Sequence, residues 1–152
     1  NRPQTEASAE QQPAYYFADY GSAADILAVQ IGNEFGNVTM ISANGEYYAY
    51  IGENEAETSG KGIQQLFSEI CVLPLESYVS GAAASDPQYG LTEPAAQVYI
   101  QNTDGDALMF VIGDPAPSQD SYYVCLYGDD RVFLMSSELA GLFLSDPEQY
   151  LR

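Results

Sequence analysis

The chain has 152 residues, 46% of them hydrophobic, which suits one domain with a real core and excludes a disordered acidic protein. Four Lys+Arg stand against 22 Asp+Glu, for a net charge of -18, and that balance argues against nucleic-acid binding and against docking on anionic lipid. No apolar run is long enough to span a bilayer.

Residues 1–14 are rich in Gln, Glu, Ala and Pro and read as a flexible linker ahead of a single domain over 15–152. Tyr15–Tyr20 is aromatic but irregular, and Gly21-Ser22 breaks it. Asp25–Ile31 predicts a strand with Leu27, Val29 and Ile31 inward. Asn33–Gly36 is a turn, and Asn37–Ser42 a second strand in which Val38 and Met40 alternate with Thr39 and Ile41. Asn44-Gly45 is a strong hairpin signal, followed by a third strand, Glu46–Ile51. Gly52–Gly60 reads as an acidic loop. Ile63, Leu66, Phe67 and Ile70 then form one face of a helix, which Pro74 ends. Leu75–Ser80 suggests a short strand, and Gly81–Ser85 a connector of small residues.

Asp86-Pro87 opens a single helical turn that Gly90 closes, and Pro94 forces Glu93 toward an extended conformation. From Ala95 to Asn102, Ala96, Val98 and Ile100 alternate with Gln97, Tyr99 and Gln101, the pattern of a half-buried strand. Asp104-Gly105 is a second hairpin signal, expected to hold both residues at positive φ. Ala107–Ile112 is apolar on both faces, as an inner strand would be, and Gly113-Asp114-Pro115 ends it. Tyr122–Tyr127 and Arg131–Met135 pair across Gly128-Asp129-Asp130. Ser136 or Ser137 caps a last helix with Leu139, Leu142 and Phe143 inward, and Asp146-Pro147 starts a final turn. Strands followed by a helix, twice over, predict an α+β fold. The expectation is two antiparallel β-sheet units, over 15–80 and 86–152, each followed by a covering helix, with a weak internal duplication.

The ordered set Tyr89-Gly90-Leu91, Pro94, Asp104-Gly105, Ile112-Gly113-Asp114, Tyr122-Tyr123-Val124 and Val132-Phe133-Leu134-Met135 resembles a bacterial family known as domain of unknown function 4340. The order and spacing carry the resemblance, which covers most of the second half. Members often have a Trp after the second strand; this chain has none, and Tyr47 or Tyr48 stands nearby. The resemblance implies an extracytoplasmic domain tethered to the cell membrane by an amino-terminal anchor. It also implies an accessory role beside ABC-type transporter components, as in gliding-motility auxiliary proteins.

The chain has no His, which removes Ser-His-Asp and Cys-His catalysis and the commonest zinc sites. The single lysine, Lys61, has Ser59 nearby, but not at Ser-x-x-Lys spacing. Carboxylates are plentiful, so a hydrolase pair would need a cleft that separates two pKa values. Asp104/Asp106 and Asp129/Asp130 could offer oxygens to calcium, but both sit where turns want Asp and Gly. No catalytic, cofactor or metal residue is assigned. Tyr47, Tyr48, Tyr50, Tyr99, Tyr123 and Tyr127 fall on predicted strands and form a candidate partner or ligand face, although strand propensity alone also explains them. Cys71 and Cys125 are expected to be free, mostly buried thiols, because two separate units would keep them apart. Three functional classes follow. The first is a non-catalytic domain that binds a partner protein, the second a module that binds carbohydrate or a small ligand through tyrosines, and the last a carboxylate hydrolase.

Overall fold

A computed structural model describes residues 15–118 and 120–152. The linker assigned to residues 1–14 lies outside them. Eleven strands are present among the described residues: β1 (Tyr15–Asp19), β2 (Ile26–Asn33), β3 (Gly36–Ala43), β4 (Glu46–Ile51), β5 (Asn54–Ala56), β6 (Val72–Leu75), β7 (Ser77–Tyr78), β8 (Ala96–Asn102), β9 (Ala107–Pro115), β10 (Ser121–Leu126) and β11 (Phe133–Ser136). Two short helices accompany them, α1 (Lys61–Ile70) and α2 (Ser137–Leu144).

Nine of the strands form one antiparallel sheet in the order β5-β4-β3-β2-β8-β9-β10-β11-β7, and β1 pairs with β6 in a separate ribbon. This corrects the expected fold class. The molecule is mostly antiparallel β-sheet, not an α+β fold of two sheet units with a helix on each. The seam is β2 against β8, where Val29 pairs with Ile100, Gln30 with Tyr99 and Ile31 with Val98. Both strands alternate apolar and polar residues with the same period. Pairing them puts Val29, Ile31, Val98 and Ile100 on one face and removes two edges that separate sheets would expose.

One face of the sheet carries the main core. Ile63, Leu66, Phe67 and Ile70 of α1, and Ala140 and Phe143 of α2, are buried in the same cluster as the inward sheet residues. Rather than each covering its own half, both helices share a face, and α2 touches β2 and β8 at the seam. Phe143 meets Phe110 edge-on, with ring centroids 5.4 Å apart, and the Asn33 amide donates to the Phe143 and Ser145 carbonyls. Ser136 caps α2, its hydroxyl accepting from the Leu139 N–H. The Gly62 backbone touches that of Tyr150: a Cβ there would stand 2.5 Å from the carbonyl oxygen.

Local departures from the expected elements have local causes. A register shift between Ile26 and Ala28 turns Ile26 inward in place of Leu27, which is only half-buried. The acidic loop contains β5, and the irregular aromatic stretch is β1, which pairs with a β6 that includes Pro74. Asn44 and Gly45 both take positive φ, as a tight hairpin requires. At Asp104-Gly105 only the glycine does, because Asn102 builds the turn: its side-chain oxygen accepts from the Asp104 and Asp106 N–H groups.

Candidate functional site

The second face of the sheet is covered only in part. Over β9 to β11 the connector between β7 and β8 packs down, and Ala84 and Leu91 join Val111, Cys125 and Val132 in a small second core. The resembling motifs meet here. A Cβ on Gly113 would run into the Tyr89 carbonyl oxygen, and one on Gly90 into the Asp114 carboxylate. Gly90, at φ 73, also closes the turn that Asp86 caps. The Tyr89 ring meets the Tyr123 ring edge-on at 4.8 Å. The ordered motifs are therefore a packing joint that clamps the connector to the sheet.

From β4 to β8 no described helix or connector joins a buried cluster on this face, and a single cross-strand row runs along it as far as Met109 of β9. Register pairs Tyr50 with Thr39, Thr39 with Gln30, Gln30 with Tyr99 and Tyr99 with Met109. The Tyr127 N–H donates to the Met109 carbonyl, which extends the row to β10. With strands about 4.8 Å apart, six strands make a row about 24 Å long. Tyr127 is 68% exposed and Met109 38%, while the other members are half-buried.

Of the six candidate tyrosines, Tyr48, Tyr50, Tyr99 and Tyr127 share this open face. Tyr48 is 38% exposed, and its hydroxyl lies 3.4 Å from the Glu46 carboxylate. Tyr47 points the other way and meets the Phe67 ring edge-on at 6.0 Å, inside the main core. Tyr123 lies under the connector beside Tyr89. Met109, Gln30 and Gln97 belong to the face as well. Their alternation with core residues was the available signal, since each occupies the outward position of its strand.

Gln97 lines three adjoining hollows on this face. One of about 350 Å³ has Leu91, Val111 and Cys125 in its wall and Asp129 and Asp130 beside it. A second, about 90 Å³, lies against Gln30, Tyr99 and Met109, and a third, about 600 Å³, against Gly32 and Glu34. Asp129 is held by Arg131 at 2.6 Å, and the hydrogen bonds from that guanidinium draw its carboxyl down to about 2. Asp130 accepts from the Ser85 N–H, tying the turn to the connector. Burial, and then the charges of Asp129 and Asp130, push the Cys125 thiol up to about 11, so it stays protonated and unreactive at neutral pH.

Another hollow, about 740 Å³, lies beside β5 at the end of the row, with Tyr47 and Tyr48 in its wall. Glu55 and Glu57 line it from one short stretch of chain, and Leu151 and Arg152 contribute another part of its wall. The Ser59 hydroxyl accepts from the Lys61 N–H at the start of α1. Among the described residues no group of three His, Cys, Asp or Glu side chains is arranged to hold a metal ion. No described helix is long and apolar enough to cross a membrane.

No curated protein and no solved structure matches the chain. A family model, described as "Domain of unknown function (DUF4340)", matches residues 50–151, about two thirds of the chain. The match begins within β4 and takes in every ordered motif from Tyr89 to Met135, while β2, one side of the seam, lies before it. By that match, the chain belongs to the DUF4340 family.

Proposed function

We propose that the protein is a non-catalytic module that binds a partner protein through the open face of its sheet. The observation behind this reading is the row from Tyr50 to Tyr127, with Tyr48 alongside. It offers aromatic and thioether area with polar tips, the composition enriched at protein interfaces. The carboxyls of Asp86 and Asp129 are both drawn down by hydrogen bonds within turns, which ties these two acids to turn structure. We further propose that the domain is extracytoplasmic, tethered by an amino-terminal membrane anchor, and serves beside ABC-type transporter components. That role rests on the family resemblance.

A photo-crosslinker at Tyr99 in intact cells tests the binding face. The expected result is a discrete protein adduct that does not form from Gln65, on the solvent side of α1. No adduct, or equal adducts from both positions, would refute the reading. Recovery of a membrane transporter subunit in the Tyr99 adduct would support the accessory role. Protease added to intact or osmotically opened cells should cut the domain only if it lies outside the cytoplasm.

A second reading, binding of carbohydrate, draws on the same rings, because Gln30, Gln97 and Thr39 set amides and a hydroxyl between them. Oligosaccharide titrations that quench Tyr99 and Tyr50 fluorescence would favour it over a protein partner.

A further inference from the structure

The open face is bounded by carboxylates. Glu46 shares the outward side of β4 with Tyr48 and Tyr50, and Glu55 of β5 pairs directly with Tyr50. At the other end Asp130 lies beside Tyr127 and the 350 Å³ hollow, and Glu34 lines the side hollow. Of the described cations, Lys61 belongs to α1 on the covered side. Arg131 is held by Asp129 at the edge of the 350 Å³ hollow, and Arg152 lines the hollow that Tyr48, Glu55 and Glu57 also line, so carboxylates outnumber cations at both ends of the face.

Size narrows the occupant. The row is about 24 Å long, and strands of six to eight residues span about 20 Å across it, for an area of roughly 500 Å². An extended segment of about seven residues spans a row of that length. A second copy of the chain would bring the same carboxylates, and a net charge of -18, against an identical set.

We propose that the occupant is a basic, extended segment of a partner protein, laid across β4 to β10 with its Lys or Arg side chains between the tyrosine rings. This rests on the reading of the open face as a docking surface. The aliphatic stem of one such side chain fits the hollow walled by Leu91, Val111 and Cys125, and its charged end reaches Asp130. Others lie over Tyr50 and Tyr99, which attract cations through their ring faces, and end at Glu46 and Glu55.

Amide NMR of the isotopically labelled chain tests this with three short peptides that differ only in charge: Lys/Arg/Tyr, Glu/Tyr and Ser/Tyr. The cationic peptide alone should shift amides, centred on Gln30, Tyr99 and Tyr127. Its affinity should fall roughly tenfold as salt rises from about 50 to about 500 mM. Tyr99→Lys should abolish the shifts. Glu46→Lys, at an exposed strand end, should weaken binding several-fold and serves as the test if Tyr99→Lys does not fold. Equal binding of the neutral peptide at the same amides would overturn the basic partner while leaving the docking face standing. So would concentration-dependent shifts there without any peptide. Cationic shifts on α1 with none on the open face would overturn both.

Discussion

At Gly113 the backbone of β9 meets the carbonyl of Tyr89 with no space for a side chain. Its φ lies outside the positive range, so the requirement is steric and not conformational. Gly113→Ala should therefore cost about 2 kcal/mol, the typical price of overpacking. Gly141→Ala, inside α2 with nothing within 4 Å of the new methyl, should gain roughly 0.5–1 kcal/mol from helix propensity. Thermal unfolding of both variants checks the contrast, and equal effects would contradict the joint. Asp129 gives a pH test. Its folded pKa is depressed to about 2 from the ordinary 3.8, so the pair with Arg131 stabilises the β10–β11 turn above the ordinary value and is lost as pH falls toward 2. NMR titration should find that low pKa in the native chain and its return toward 3.8 in Arg131→Ala. No change between the two would show that the guanidinium is not the cause.

At the level of elements, β10 decides the fate of the cysteines. It alternates Val124 into the main core and Cys125 into the second, while Cys71 ends α1 on the other side of the sheet. Both thiols are free. In the folded chain at neutral pH a thiol reagent should modify Cys71, which is half-exposed, well before Cys125. Unfolding without reductant should release both, and a native Cys125 that reacts first would contradict its placement. The expected separation of the cysteines arises here from the two faces of one sheet and not from two units. Most elements were legible because their periods are regular: the α1 face, the alternation of β3 and β8, and the caps at Asp86 and Ser136. β5 and β6 were not. A three-residue strand inside an acidic loop, and a strand that contains Pro74, form only because a neighbour supplies the ladder.

Across the whole molecule, periodicity told that Val29, Ile31, Ala96, Val98 and Ile100 face inward, missed the shift that turns Ile26 in for Leu27, and did not tell that β2 and β8 are partners. Pairing between segments some 70 residues apart leaves no local mark, so two half-sheets and one nine-stranded sheet read alike. The candidate face was half-legible for the same reason. Strand membership picked out Tyr48, Tyr50, Tyr99 and Tyr127 together with Tyr47 and Tyr123, but only the seam puts the first four on one surface, and only the connector explains why Tyr123 is covered. The open face, its acidic rim and the proposed partner all depend on β2 lying beside β8. Backbone NOEs in the labelled chain measure this directly. Cross-strand contacts between Val29 and Ile100 and between Gln30 and Tyr99, with slow amide exchange along both strands, are the predicted result. Absence of those contacts, with β2 and β8 amides exchanging as fast as those of free edge strands, would contradict it.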